Sequence, residues 1–194
     1  MKINSITVFC GASIGSHKIY QEKAEELGAF LGEHNITLIY GGGKVGLMGA
    51  VADEVLKSGG KVIGIIPELL HKEEIVHPNI NEVVVPKTMS ERKVLMSKKT
   101  DAYVILPGGM GTLDELFEAL TLQQLKIEQK PIGLLNVNGF YDATLQQLNV
   151  MIAEGFLKLS GKDLLLVADS VEGLMKKITD FKMSTQTTEI NKIV

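Results

Sequence analysis

The chain has 194 residues, of which 45% are hydrophobic and 22% are charged, and its formal net charge is −3 at pH 7. This length and composition are ordinary for one globular domain with a sizeable core. The small negative charge provides no broad basic field for a nucleic-acid backbone, and no apolar run reaches the roughly 18 residues that a membrane span requires. Neither nucleic acid nor a membrane is therefore an expected partner.

Short β-rich segments alternate with longer segments of helical period along the chain. Strands are predicted in β-rich segments, most of which are continuously apolar, as strands buried on both faces are: residues 5–10, 37–40, 61–66, 82–85, 102–106, 132–136 and 164–167. Helices are predicted where apolar residues recur at steps of three and four: residues 17–34, 46–58, 89–100, 112–127, 141–154 and 171–181.

This alternation predicts a three-layer αβα fold of the α/β class, in which helices cover both faces of a doubly wound, mostly parallel, Rossmann-like sheet. Residues 1–181 are predicted to form a single domain, and the polar residues 182–194 a flexible tail. Cys10 is the only cysteine, and the N-terminus does not resemble a secretory signal peptide, so a cytoplasmic location is expected. The four histidines show no ligand spacing for zinc, and no metal site is predicted.

Ligands of such sheets bind beyond the carboxyl ends of the strands, where four predicted loops converge: residues 10–13, 40–46, 67–74 and 107–112. The last loop joins an apolar strand to a helix through glycines. Glycine lets the backbone approach an anion closely, and a helix N-terminus directs N–H groups at it, so a phosphorylated small molecule is the predicted ligand. Ser13, Gly42 and Gly43 in the first two loops are further candidate contacts, although a turn or packing role is an equal alternative for residues 41–46.

Neither glycine loop has the spacing of the dinucleotide fingerprint or of the P-loop, which disfavours NAD binding and ATP hydrolysis and favours a mononucleotide. Ser90 is predicted to cap the helix that follows it. Arg92 and Lys93 then lie in its first turns, where cations oppose the helix dipole unless an anion or a carboxylate compensates them. The forked guanidinium of Arg92 suits a phosphate or a carboxylate; the alternative is that both residues are solvated surface charges.

Three ordered motifs carry a family resemblance: GGGKVGLMG at residues 41–49, MSERK at 89–93 and PGGMGTLDE at 107–115. They resemble the LONELY GUY family of nucleoside 5′-monophosphate phosphoribohydrolases, which release free cytokinin bases from their ribotides. The similarity runs from about residue 6 to residue 156. It implies cleavage of an N-glycosidic bond without a metal or other cofactor, in a homodimer whose active sites lie near the subunit interface.

Carried over position by position, the resemblance implies that Arg92 and Glu115 are catalytic. It implies that the substrate is bound by Glu74, Lys93, Gly108, Gly109, Met110, Gly111, Thr112, Leu113, Asp114 and Thr121. Met110 and Asp114 depart from the plant pattern, which has an aromatic residue and a glutamate there, so the preferred base, adenine or an N6-modified adenine, stays open. Bacterial relatives also carry an older label as possible lysine decarboxylases, an activity that requires a Schiff-base lysine and a pyridoxal-phosphate site.

The chemistry at Glu115 can also be argued from the residue itself. Breaking the bond between ribose C1′ and a base nitrogen develops positive charge on the sugar, which an ionised carboxylate stabilises. We expect Glu115 to lie in the first turn of its helix, with a pKa depressed by the dipole and by Arg92. Stabilising the cation, aligning water and attacking C1′ all remain open roles. Two alternatives are that the acids only cap the helix, and that the protein binds or senses a nucleotide without hydrolysing it.

Overall fold

The computed structural model describes residues 2–71, 76–158 and 164–181. The strands are β1 Ser5–Phe9, β2 Thr37–Tyr40, β3 Val62–Ile65, β4 Glu82–Val84, β5 Ala102–Ile105, β6 Ile132–Leu135 and β7 Leu165–Ala168. All of them pair in parallel and form a seven-stranded sheet in the order β4-β3-β2-β1-β5-β6-β7. The predicted parallel, Rossmann-like sheet is confirmed.

The helices are α1 Lys18–Glu33, α2 Gly46–Lys57, α3 Glu68–His71, α4 Met89–Lys99, α5 Met110–Gln124, α6 Asp142–Ala153 and α7 Val171–Asp180. Each predicted strand and helix is present, with ends that shift by at most three residues. The short helix α3 and a 3₁₀ turn at Val137–Gly139 were not predicted, because segments of three or four residues carry no measurable helical period. The extent of the domain and the tail at residues 182–194 stay predictions, since that tail lies outside the described residues.

The sheet is the middle of three layers. On one face, Val8, Leu38 and Val104 pack against α1, α2 and α7 in one apolar core, to which α1 contributes the fully buried Leu27. On the other face, Phe9, Ile39, Tyr103 and Ile105 pack with α4, α5 and α6 in a second core. Because both faces are covered, the strands are apolar at almost every position. Within the described ranges, no helix has both the length and the apolar character that crossing a bilayer requires.

The strand order reverses at β1, whose neighbours are β2 on one side and β5 on the other. The chain after β1 and the chain after β5 therefore leave the sheet side by side and open a crevice at the carboxyl edge. Two backbone hydrogen bonds tie the loops together there: Gly11 N–H donates to the Pro107 carbonyl at 3.0 Å, and Leu47 N–H donates to the Gly11 carbonyl at 3.1 Å.

Close backbone contact explains one glycine of the second loop. Gly46 has a φ of +67°, and a Cβ at this position would lie 2.2 Å from the carbonyl carbon of Ala12. Both the left-handed backbone and the contact exclude a larger residue. The first two loops are thus packed backbone to backbone at the crevice.

Candidate active site

A cavity of about 320 Å³ opens at the point where the strand order reverses. All four predicted loops reach its wall, as does the start of α4. It is lined by Cys10, Gly11, Ala12, Gly41, Met48, Leu70, Met89, Arg92, Gly109, Gly111, Thr112 and Glu115. The volume is that of a small-molecule site, and the wall combines glycine backbone, a few apolar side chains and one ion pair.

The start of α5 forms one side of this cavity. Gly109 is the N-cap residue, no side chain caps the helix, and the first intrahelical bond runs from Leu113 N–H to the Gly109 carbonyl at 3.1 Å. The helix therefore begins at Met110, two residues earlier than predicted. Backbone N–H groups at an uncapped helix N-terminus, together with the positive end of the macrodipole, favour an anion.

The glycines of this turn have two different surroundings. A Cβ on Gly108 would lie 2.2 Å from Thr112 Oγ1 and 2.9 Å from Gly11 N, so this glycine is required by packing. A Cβ on Gly109 or Gly111 would meet no atom within 4 Å. These two glycines therefore leave room at the helix start on the cavity side, which is the room a bound anion requires.

Arg92 and Glu115 form an ion pair on the cavity wall. Arg92 Nη1 lies 2.9 Å from Glu115 Oε1, and the two side chains are only 12% and 11% exposed. Arg92 Nε also donates to the Ile65 carbonyl at 3.1 Å, so the end of β3 fixes the guanidinium. A Cβ on Gly41 would lie 3.1 Å from Arg92 Nη2, so the second glycine loop leaves space for the arginine. The structure thus brings together the two residues predicted to be catalytic.

The predicted depression of the Glu115 pKa is wrong. Burial raises the pKa of Glu115 above its usual value, and the positive charges of Arg92 and Lys93 offset only part of that effect. The residue also lies in the second turn of α5, because the helix begins at Met110 and carries no acid in its first turn. The helix dipole therefore acts on Glu115 more weakly than expected, and capping of the N-terminus does not account for its position.

The predicted cap of α4 is also wrong by two residues. The N-cap is Thr88, whose hydroxyl accepts a hydrogen bond from Glu91 N–H at 3.1 Å, and Ser90 lies within the helix. Glu91 in turn accepts from Lys87 N–H at 2.8 Å. The pattern Thr-x-x-Glu is that of a capping box, except that Glu91 accepts from the residue before the N-cap, and Glu91 places a negative charge in the first turn. This arrangement anchors the helix that carries Arg92.

Lys93 lies beside the Arg92–Glu115 ion pair and forms ion pairs with two other carboxylates. Its Nζ is 2.8 Å from Asp114 Oδ2 and also contacts Glu118. Burial lowers the pKa of Lys93, but the hydrogen bonds and charges of Asp114 and Glu118 outweigh burial, so the net pKa lies above its usual value. Lys93 is thus a cation at neutral pH. The predicted conflict with the α4 dipole is compensated by carboxylates of α5.

The other residues predicted to bind substrate have different positions. Thr112 is buried, Met110 is 85% exposed at the helix start, and Ser13 is exposed in the first loop. Leu113 faces the core instead of the cavity. Glu74 lies outside the described residues.

Gly42 and Gly43 do not line the cavity. The Gly42 carbonyl accepts from His77 N–H at 3.0 Å, and Gly43 forms a bridge with Val76. Thr121 lies three turns along α5 and lines a separate cavity with Phe117, Leu120 and Phe156.

Several lining residues were not predicted. Met48, Leu70 and Met89 supply the apolar part of the wall. Met48 and Met89 lie within the motifs at residues 41–49 and 89–93, and this position could have identified them. Leu70 belongs to the short helix α3, for which the sequence carries no signal. Cys10 also lines the cavity, and burial raises the pKa of its thiol. The thiol is therefore protonated at neutral pH, which disfavours a role as a nucleophile. No cluster of metal-binding side chains occurs within residues 2–71, 76–158 and 164–181.

The fold and this site define a Rossmann-like α/β protein in which an uncapped helix start lines a cavity at the reversal of the strand order. Residues 48–178 match a family model described as "Possible lysine decarboxylase". The cytokinin riboside 5′-monophosphate phosphoribohydrolase LOG1 of Arabidopsis thaliana is 43% identical over 93% of this chain and 84% of its own. A probable enzyme of the same name, LOGL2 of Oryza sativa subsp. japonica, is 42% identical over 93% of this chain and 74% of its own. The chain belongs to this family, the LONELY GUY family.

Solved structures agree on the fold. The molybdenum cofactor binding protein of Rippkaea orientalis superposes with a TM-score of 0.69 at 23% identity, covering 92% of this chain and 97% of its own. A molybdenum cofactor carrier protein of Chlamydomonas reinhardtii superposes with a TM-score of 0.68 at 21% identity, covering 92% of this chain and 96% of its own. At this level of identity the likeness concerns the fold alone.

Proposed function

We propose that this protein hydrolyses the N-glycosidic bond of purine nucleoside 5′-monophosphates, either AMP or cytokinin-type ribotides, to free base and ribose 5-phosphate. The observation that carries the proposal is the buried Arg92–Glu115 ion pair on the wall of a cavity that also contains the start of α5. The names of the relatives support the same activity. The proposed reaction uses no metal or organic cofactor.

In this proposal the 5′-phosphate binds at the start of α5. The N–H groups after Gly109 point out of the helix end, and the open space beside Gly109 and Gly111 accommodates the phosphate oxygens. Asp114 lies on the adjoining turn of α5 and pairs with Lys93 of α4, and this pair orients the same end of the ligand. Binding energy at the unreacting phosphate holds the reacting sugar in place. Nucleosides without the phosphate are therefore expected to be poor substrates.

Glu115 acts on the sugar. Cleavage of the C1′–N bond leaves positive charge on the ribose ring, and a carboxylate within the cavity stabilises that charge in a site of low dielectric. A raised pKa also brings Glu115 closer to neutral pH, which suits a general base that accepts a proton from the attacking water. Arg92 orients the carboxylate and favours its ionised form.

The apolar wall is the proposed base subsite. Met48, Leu70 and Met89 line the same cavity as the charged pair. Thioether and aliphatic groups pack against the flat face of a purine without hydrogen bonds that would select one exocyclic group. This arrangement accommodates adenine and its N6-substituted forms alike.

A homodimer in the cytoplasm is part of the proposal. Thr121, which the family resemblance assigns to the substrate, lines a different cavity of the same chain. Leu125, Ile127 and Phe156, near the end of α5 and after α6, are exposed hydrophobic residues, and a second copy would cover them. Thr121 would then belong to the site of the partner. Sedimentation equilibrium of the purified protein tests the dimer; a monomer at micromolar concentration would overturn it.

Product analysis tests the reaction. The purified protein is incubated with adenine, guanine and N6-isopentenyladenine nucleosides and their mono-, di- and triphosphates, and the bases are separated by chromatography. We expect base and ribose 5-phosphate in equal amounts from the monophosphates. Binding of AMP without release of base from any purine monophosphate would instead identify a nucleotide-binding or sensor protein.

A further inference from the structure

Another, smaller cavity lies on the other side of Glu115 and is lined by residues of α4 and α5. Its volume is about 30 Å³, and its polar lining consists of Lys93, Ser97, Tyr103, Glu115 and Glu118. Glu115 therefore lines two cavities: the one proposed to hold the nucleotide and this one, which lies farther from the glycine loops.

The size and the lining of the small cavity suit one water molecule. A cavity needs roughly 10–15 Å³ for one water-sized probe, and a buried water needs two to four polar partners. The carboxyls of Glu115 and Glu118, the Lys93 ammonium and the Tyr103 hydroxyl all line this space. Apolar neighbours alone would leave such a cavity dry, so the polar lining is what favours water.

The hydrogen bonds already present leave suitable donors and acceptors for this water. Arg92 Nη1 is already paired with Oε1 of Glu115. The Tyr103 hydroxyl donates to Glu128 Oε2 at 2.8 Å, so its oxygen can still accept. Lys93 carries three N–H protons and contacts two carboxylates, Asp114 and Glu118.

We propose that a water molecule in this cavity connects Glu115 to Glu118, and that Glu118 is a positioning residue through which Glu115 exchanges its proton with solvent. The inference rests on the proposed function, in which Glu115 accepts a proton from the attacking water. That proton passes from the Glu115 carboxyl to the bridging water while the water gives one of its own protons to the Glu118 carboxylate. Glu118 is partly exposed and releases the proton to bulk water, which returns Glu115 to its ionised form.

The charges around Glu115 determine what removal of Glu118 does. Ionisable groups face Glu115 from four elements: Cys10 after β1, Tyr103 on β5, Arg92 and Lys93 on α4, and Asp114 and Glu118 on α5. Glu118 contributes a negative charge and neutralises part of Lys93, and both effects favour the protonated form of Glu115. Without that charge, Lys93 stabilises the Glu115 carboxylate more strongly and the pKa of Glu115 falls.

Glu118→Gln tests the proposal, because glutamine keeps the shape and can still accept from Lys93. We expect the acidic limb of the kcat profile to move to lower pH by about half a unit or more. We expect kcat at neutral pH to fall at least about threefold, a loss of roughly 0.7 kcal/mol in transition-state stabilisation, with KM for AMP changed less than about twofold. Glu118→Asp, which keeps the carboxylate, should have a kcat between those of Glu118→Gln and wild type. Glu26→Gln, which removes an exposed carboxylate paired with Lys23 at 2.5 Å, is the matched control and should behave as wild type.

Two measurements do not depend on turnover, so they distinguish this inference from the proposed function. The first is the pKa of Glu115 from carboxyl NMR titration of wild type and Glu118→Gln. The second is electron density for a water between Glu115 and Glu118 in crystals of wild type and of Tyr103→Phe, which removes one acceptor. A lower Glu115 pKa in Glu118→Gln, together with a water in wild type that is weakened in Tyr103→Phe, supports the proposal. An unchanged pKa, or no water in wild type, overturns it even if base release is observed.

Discussion

Arg92 and Glu115 come from different helices, α4 and α5, and meet in a buried ion pair with an Nη1–Oε1 distance of 2.9 Å. Two further contacts fix the geometry of the arginine: its Nε donates to the Ile65 carbonyl, and the missing side chain of Gly41 leaves room for Nη2. Burial of the pair raises the pKa of Glu115 even though Arg92 opposes this shift. The balance between burial and pairing is therefore the property on which the proposed chemistry depends.

Glu115→Gln should abolish most of the base release and leave nucleotide binding intact. Glutamine keeps the shape but cannot stabilise the ribosyl cation or accept a proton. We expect kcat to fall by about 10²–10³-fold, the usual loss for an electrostatic catalytic group, while Kd for AMP from calorimetry changes little. Glu22→Gln, which removes an exposed carboxylate 2.9 Å from Lys18, is the control. Equal kcat values for Glu115→Gln and wild type would show that Glu115 has no catalytic role.

Arg92→Lys should also be damaging, although it conserves the charge. An ammonium cannot pair with Glu115 and donate to the Ile65 carbonyl in the same forked geometry. Loss of one charge-assisted hydrogen bond predicts a fall in kcat/KM of roughly 10–100-fold. Because the carboxylate loses part of its compensation, the acidic limb of the rate profile should move to higher pH. A limb that moves to lower pH would contradict the assigned role of Arg92.

The two kinds of glycine in the α5 turn should respond differently to alanine. Gly108→Ala places a Cβ against Thr112 Oγ1, and such overpacking costs about 1–3 kcal/mol, visible as a lower midpoint in urea. Gly111→Ala meets no protein atom and replaces a glycine within α5, so stability should be unchanged or slightly higher. KM for AMP should rise, because the methyl group occupies space that the phosphate needs. An unchanged KM in Gly111→Ala would place the phosphate elsewhere.

The raised pKa of Glu115 also predicts a pH dependence of stability. A carboxyl whose pKa is higher in the folded than in the unfolded state binds its proton more strongly when folded. Its stabilising contribution is complete below the unfolded pKa and is lost as the pH rises through the folded pKa. The Tm of wild type minus that of Glu115→Gln should therefore be larger near pH 4 than at pH 7.5. A difference that grows with pH would mean that Arg92 outweighs burial.

The cap of α4 gives a separate prediction about stability. Thr88→Ala removes the hydroxyl that accepts from Glu91 N–H and should cost about 1 kcal/mol in the free energy of unfolding. Ser90→Ala is the internal control, since Ser90 lies within the helix, and it should change the free energy by less than about 0.5 kcal/mol. If Ser90→Ala were the more destabilising variant, the assigned cap would be incorrect.

The sequence predicted the sheet well because its strands are buried on both faces and therefore apolar without interruption, as at Val62–Ile65. Pairing of Arg92 with Glu115 required the family resemblance, since the residues are far apart in the chain. The sign of the Glu115 pKa shift was not predictable, because it depends on how much of the carboxyl is buried and on a helix start two residues earlier than the pattern indicated. The cap at Thr88 was missed because two hydroxyl residues precede Arg92 and either satisfies the capping preference. Leu70 had no signal, since it reaches the cavity through a helix of four residues.

The most direct test of the central claim is a crystal structure of Glu115→Gln, which should bind AMP without cleaving it. We predict the 5′-phosphate within hydrogen-bonding distance of the backbone N–H groups after Gly109, and ribose C1′ about 3–4 Å from the side-chain amide of residue 115, the approach that reaction geometry requires. AMP bound with its phosphate away from the start of α5, or with C1′ turned away from residue 115, would contradict the proposal.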